Sequence, residues 1–419
     1  MKSINASHAL AFGAIFAPTV AIYAPLGMAP LFILVGVAVL VLEWRSKPWT
    51  AVWRPGLLIL GCALIWMTIG LLWALDVLQA LKTLTGLILL FSGGPLVVAA
   101  AGRLDDAGRK RVRIALVLGV LVGLGLAAAE VIKIGPGSFL HPQRSHLDQA
   151  FNGRISRGLT VSALLIGPAL IAAWRLGRPR LTIAMALLAA FAIFGGHSLA
   201  AKLPILLAPL VIWGVIRNPG LCARLTMGGS IAVILAFPLL SMVPPPQETM
   251  DRLSLLPNSA HHRLTIWNFT ATRILEHPLR GWGLDGSRNI PGAEENVLVM
   301  RRFNVPYGAG PDGVPLNEQL LPLHPHSGPG QIWLELGAVG VVMLCSLIIV
   351  LARRITTVRN PLDAAVTAQG IVVGIVVSSV SYGVWQSWWL CSVWLAAALA
   401  MAVAAGHSDI VEPDGNRQG

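Results

Sequence analysis

The sequence predicts an all-α polytopic membrane protein with about twelve transmembrane helices and one long loop. Three observations carry that expectation. Hydrophobic residues make up 55% of the 419-residue chain and charged residues only 12%, with a mean hydropathy of +0.71; a soluble chain of this length has no interior large enough for that much apolar surface. The apolar residues gather into runs of roughly 15–25, long enough to cross a bilayer as helices. Within the runs they are continuous and do not alternate with polar residues, which favours helices over the strands of a barrel.

In chain order the expected spans are 9–25, 28–42, 55–75, 79–101, 112–133, 158–174, 181–196, 201–216, 225–243, 331–352, 364–383 and 386–405. The domain reading follows: N-terminal transmembrane helices over 1–243, a loop domain over 244–330, C-terminal helices over 331–405 and a tail over 406–419. Lys2 followed by an apolar run resembles a signal peptide, but the spans that follow favour a first transmembrane helix.

Charge orients the bundle. With the N-terminus inside and sides alternating, the inside loops hold Arg45, Lys47 and Arg54, then Arg103 to Arg113, then Arg175, Arg178 and Arg180, then Arg217 and Arg224, then Arg353, Arg354 and Arg359. The short outside connections near Asp76 and Ser381 carry almost no Lys or Arg, the asymmetry expected of a membrane protein with both termini in the cytoplasm. The net charge of +12 is largely this signal, so no nucleic-acid partner is expected. Cys62, Cys222, Cys345 and Cys391 lie in or beside apolar runs without paired spacing and read as packing residues. Trp385, Trp388, Trp389 and Trp394 read as an interfacial aromatic belt.

Two outer segments break the charge rule, and chemistry is expected there. Residues 134–157 hold His141, Arg144, His146, Arg154 and Arg157. The loop from 244 to 330 holds Arg252, Arg263, Arg273, Arg280, Arg288, Arg301 and Arg302, with His261, His262, His277, His324 and His326. Lys202, which opens a span after Gly195-Gly-His-Ser, adds a cation at the same level. Residues 262–276 read as an amphipathic helix with a stripe of Leu264, Trp267, Ala271, Ile274 and Leu275, on which Arg263 and Trp267 are neighbours four apart. His277-Pro278 stops it, Gly281-Trp-Gly-Leu-Asp-Gly286 makes a tight turn, and 291–322 reads as irregular. His326 then stands at the mouth of the 331–352 span, where water, headgroups and a membrane-bound substrate meet. Gln331 and Glu335 follow on one helix face; a carboxylate inside an apolar span is costly and marks function. His324 reads as an interface residue.

Arg263-x-x-x-Trp267, then Glu276-His-Pro-Leu-x-Gly-Trp-Gly, then His326 in register with Gln331, Glu335 and Gly337, resembles the O-antigen ligase/polymerase superfamily. Arg157-Gly158 and Ser198-Leu-Ala-Ala-Lys202 are similar to further family positions. The resemblance implies a type C glycosyltransferase-like fold with one long periplasmic loop in the bacterial inner membrane. It implies transfer of a glycan from undecaprenyl diphosphate to a sugar hydroxyl of lipid A–core, without a cofactor or metal and amid membrane lipids. In that reaction His326 is the expected base and Arg263 a diphosphate ligand. Arg157, Lys202, Glu335, Gln331, Trp267 and His324 are the expected substrate-binding set. Where the family often places an arginine after the serine, this chain has Leu199, and Lys202 is the cation nearby. Ligases and polymerases of O-antigen or exopolysaccharide share these motifs.

Two other classes find less support in the sequence. A metal enzyme would draw on His261, His262, His324 and His326, but no His-Glu-x-x-His or Asp-x-Asp pattern supports it. A secondary transporter wants repeated halves and polar groups at mid-membrane, whereas no internal repeat is seen and the polar residues collect at the outer face.

Overall fold

The computed structural model describes residues 4–140, 147–196, 198–243, 258–297, 301–302, 305–306 and 318–405. His141, Arg144, His146, His197, Arg252 and the 406–419 tail lie outside the described residues, as do the side chains of His261, Arg301 and Arg302.

Helices follow one another along the chain: α1 (Ala6–Tyr23), α2 (Met28–Glu43), α3 (Arg54–Gly70), α4 (Val77–Gly102), α5 (Asp106–Val131), the short α6 (Pro136–Leu140), α7 (Leu147–Arg175), α8 (Pro179–Gly195), α9 (Leu199–Arg217) and α10 (Pro219–Ala236). After the loop come α11 (Asn258–Glu276), α12 (Gly328–Thr357), α13 (Pro361–Val380) and α14 (Ser387–Val403). The starts are written locally. Asp76, Asp105, Ser198, Asn218, Ser327 and Asn360 each accept an N–H of the turn they open, and proline occupies the first turn of α3, α8, α10, α12 and α13, where its missing N–H costs nothing. Among the described residues ten helices are long and apolar enough to cross a membrane, and α8 and α14 are shorter apolar helices. The chain is an all-α polytopic membrane protein. Each expected span overlaps a helix, although α7 begins at Leu147, well before the expected 158.

Lipid tails are as apolar as leucine, so close packing holds such helices together. α1 lies against α2, α5 and α7, and glycines permit it: a Cβ on Gly119 would meet the Ala14 carbonyl oxygen at 2.2 Å, and one on Gly158 the Ala21 carbonyl oxygen at 2.6 Å. Trp388 and Trp389 are 4% and 2% exposed inside this packing. The expected aromatic belt is therefore corrected: these indoles fill protein interior, and Trp394 packs against the same core.

Contacts at the two ends of the bundle agree with alternation. At one end, Arg175 pairs with Asp363 at 2.7 Å, and Arg109 donates to the Met401 and Gly102 carbonyls at the ends of α14 and α4. At the other, Tyr23 donates to Glu130 and Gln79 donates to Asp285 of the long loop.

That loop has its own small core of Ile266, Ala271, Ile274, Ile290, Ala293 and Leu321, seated on Phe237 and on Leu334 of α12. On α11, Ile266, Thr270 and Ile274 face inward, while Leu275 is 58% exposed, which corrects its place in the expected stripe. The helix ends at Glu276, as the His277-Pro278 stop led one to expect, and begins at Asn258, before the expected 262. Irregular chain was expected over 291–322; instead it includes short antiparallel pairings, β1 (Asn296–Val297) with β4 (Glu318–Gln319) and β2 (Arg301–Arg302) with β3 (Val305–Pro306).

One joint ties the loop to the bundle. α12 is interrupted at Gly337, with φ 63° and ψ −162°. The freed carbonyls of Leu334 and Glu335 accept the N–H groups of Trp282 and Gly283 at 2.8 and 2.9 Å, and that of Leu336 accepts the Trp66 indole at 3.0 Å. In return Ala338 donates to the Pro278 carbonyl at 2.9 Å. The Gly281-Trp-Gly turn thus fills a gap in a transmembrane helix, and the buried backbone groups are satisfied. The break is filled by the chain of the loop.

Candidate functional site

His326 lies two residues before α12 with φ +50°, a left-handed conformation that costs a non-glycine residue about 1–2 kcal/mol. Its neighbours hold it there. The Trp267 indole of α11 donates to the Pro325 carbonyl at 2.9 Å, and Ser327 caps α12 through the Gly330 N–H. The ring itself is tied by Nδ1, 2.7 Å from the Ser381 carbonyl oxygen in the turn between α13 and α14. A carbonyl can only accept, so Nδ1 carries the proton and Nε2 presents a lone pair. Burial pushes the imidazole pKa down to about 4; the Ser381 bond opposes this, and the charges of Arg263 and His262 reinforce it. The ring is neutral at physiological pH, in the form that can take a proton.

His324 lies against it, with ring centroids 4.3 Å apart. It is 8% exposed, and its Nε2 has no hydrogen-bond partner among the described residues. Burial, then the neighbouring His326 and Arg288, lower its pKa to about 3. His262 turns elsewhere, with Nε2 3.1 Å from the Gln319 carbonyl oxygen. Among the described residues no three His, Cys, Asp or Glu side chains converge as a metal-ligand set.

The cations sit around this point. Arg263, Trp267 and Lys202 line one cavity of about 480 Å³, whose other walls include Leu199, Leu203 and Leu206. These leucines are 46%, 43% and 58% exposed, so the cavity is both apolar and open on the lipid-facing side of α9. Leu199, at the expected arginine position, is on its wall beside Lys202. Arg157 lies at the head of the buried part of α7, and its charge is felt by His324 and by Tyr382. Lys202 and Arg157 are half-buried. Arg154, one turn earlier on α7, is exposed.

Gln331 and Glu335 are brought together as their spacing required: Gln331 Nε2 donates to Glu335 Oε1 at 2.9 Å. Neither, however, presents a free face to a substrate. Gln331 is 2% exposed and Glu335 0%, and the bonds of both are internal. Their expected place among substrate ligands is corrected to a supporting one.

Sequence reasoning missed four contributors. Ser381 acts through its backbone, which leaves no trace in residue type. Tyr382 donates to Thr160 of α7 at 3.1 Å, since the Thr160 hydroxyl is committed to the Arg157 carbonyl at 2.6 Å. Burial raises its phenol pKa, while Thr160, Ser381 and the charges of Arg157 and Arg263 pull the other way. Asp285 and Ser287 support Glu335 from the long loop. For Tyr382 the available signal was its phenol, one of three in the chain.

A polytopic helical bundle with histidine and arginines gathered at one end, under a loop docked into a broken helix, is the class that fold and site define. Residues 184–345 match the family described as O-antigen ligase. A Rickettsia conorii protein named "putative polysaccharide ligase" is 26% identical over 360 residues, covering 85% of this chain and 82% of that one. A protein of the same description from Rickettsia felis is 24% identical over 345 residues, covering 81% and 78%. The resemblance to the O-antigen ligase superfamily is thereby borne out, and the function is of glycan ligase/polymerase type.

Proposed function

We propose that this protein transfers a glycan from undecaprenyl diphosphate to a sugar hydroxyl of lipid A–core, at the periplasmic face of the bacterial inner membrane. The observation that carries the reading is the seat of His326. Its Nδ1–H is committed to the Ser381 carbonyl, leaving Nε2 as an acceptor, and Trp267, which donates to the adjacent Pro325 carbonyl, lines the lipid-accessible cavity that also holds Arg263 and Lys202. The acceptor hydroxyl gives its proton to Nε2 as its oxygen bonds to the anomeric carbon. The bond from that carbon to the diphosphate oxygen breaks, and the electron pair leaves with the diphosphate. Arg263 and Lys202 from the cavity, with Arg157 from α7, are the groups to stabilise that growing charge. The apolar wall of α9 suits the polyprenyl chain. An arriving diphosphate also offsets the Arg263 charge that helps to depress His326, so donor binding raises the basicity of Nε2 when a base is needed.

A polymerase of O-antigen or exopolysaccharide uses the same hydroxyl nucleophile and leaving group, and differs in its acceptor. A deletion strain examined on a lipopolysaccharide gel separates the two. Loss of a ligase leaves bare core, with full-length chains accumulating on undecaprenyl diphosphate. Core carrying a single repeat unit identifies a polymerase and overturns the ligase reading.

A further inference from the structure

Glu335 is a junction of three segments. Its carboxylate accepts from the Ser287 hydroxyl at 2.5 Å and the Asp285 N–H at 2.7 Å, both in the long loop. It accepts from Gln331 of its own helix at 2.9 Å and from the Trp385 indole at 2.5 Å. Four donors suit a carboxylate, which is acceptor-only and has about four lone-pair sites; an amide would set its NH₂ against donors.

Two of these bonds lead to His326. Trp385 belongs to the 381–386 turn that carries the Ser381 carbonyl. Gln331, held by Glu335, uses its Oε1 to accept the Val384 N–H of the same turn at 2.8 Å. Tyr382 ties the turn to Thr160 of α7 and packs on Trp388 and Trp389, whereas the turn's side-chain hydrogen bonds to α12 are those of Gln331 and Trp385. Its height against α12 is therefore set by Gln331 and Trp385. On the other side, Gln79 and Thr83 of α4 each donate to the Asp285 carboxylate at 2.7 Å, fixing the loop segment that closes over Glu335.

We propose that Glu335 is a positioning residue: through Gln331 and Trp385 it holds the 381–386 turn where the Ser381 carbonyl keeps His326 in its Nδ1–H form. Glu335 itself touches no substrate. The inference rests on His326 being the base, and the consequence of losing Glu335 is a ring free to adopt the wrong tautomer.

The test uses full-length protein in detergent with ¹⁵N-labelled histidine, the His326 signal being identified by its absence from His326→Ala. Wild-type protein is expected to show a single Nδ1–H tautomer for His326 at neutral pH, and Glu335→Gln a mixture. With an undecaprenyl-diphosphate-linked O-antigen chain and lipid A–core as substrates, Glu335→Gln should lose on the order of 10²-fold in kcat, with donor KM within about twofold of wild type. Adding Gln331→Leu should cost little more than the larger single effect, because the two act through one path. If Glu335→Gln is not monodisperse, Trp385→Phe, which leaves the carboxylate three donors, is read in the same way. A folded variant with a single Nδ1–H tautomer and wild-type kcat overturns the proposal. Wild-type transfer by His326→Ala would instead remove the base assignment, and the tautomer measurement stands apart from that outcome.

Discussion

At His326 one backbone carbonyl decides which ring nitrogen is available, and the chemistry follows from that choice. His326→Ala should reduce transfer by about 10²–10⁴-fold, the usual cost of losing a general base, with protein level unchanged on a membrane immunoblot. His324→Ala should be milder, since its Nε2 faces protein. Wild-type transfer by His326→Ala would remove the base. Arg263→Lys keeps the charge and loses the planar fork that binds a diphosphate through two bonds, so transfer should fall; full activity would make Arg263 a structural residue. The histidines also predict a pH effect on stability. Their folded pKa values are about 4 and about 3, against an ordinary 6.5, so the unfolded chain takes up protons first as the pH drops. Their contribution is complete above pH 6.5 and is lost as the pH falls toward 3. The thermal midpoint in detergent should decline across that window, and less steeply in His324→Gln; equal slopes would contradict it. Residue types made His326, Arg263, Lys202 and Arg157 candidates, and the family resemblance supplied the roles expected of them. Residue types could not announce the Ser381 carbonyl, since every residue has one, nor the pairing of Glu335 with Ser287 and Trp385, which lie 48 and 50 positions away.

Among the elements, the break in α12 is the joint on which the site depends. Gly281 has φ +70°, and a Cβ there would stand 2.4 Å from the Glu335 carbonyl carbon; one on Gly337 would stand 2.3 Å from the Leu279 carbonyl oxygen. Gly281→Ala and Gly337→Ala therefore combine backbone strain of about 1–3 kcal/mol with a clash against main chain that cannot move aside. Both should lower the thermal midpoint and free the loop, seen as faster hydrogen exchange at Trp282 and Gly283. Unchanged protection in both variants would mean the joint is dispensable. The helices themselves were legible from apolar runs, and the Gly281–Gly286 turn from its glycines. The break was not, because a glycine inside an apolar run looks like any small packing residue until the chain that fills the gap is seen. The tryptophans at 385–394 misled for a related reason: aromatic residues at a helix end suit a membrane interface and a protein interior equally well.

For the molecule as a whole, the lysines and arginines of the short loops are the ground for the proposed orientation, which puts the site at the periplasmic end. A reporter joined at Asn289 should act from the periplasm; a cytoplasmic readout would place the site on the wrong side for this chemistry. The central claim is tested most directly by reconstitution. Purified protein in liposomes is given an undecaprenyl-diphosphate-linked O-antigen chain and lipid A–core, with no nucleotide, and the products are separated by gel. The account predicts full-length glycan joined to core by the wild-type protein and none by His326→Ala. Absence of transfer by active-folded wild type, or equal transfer by both proteins, would contradict it.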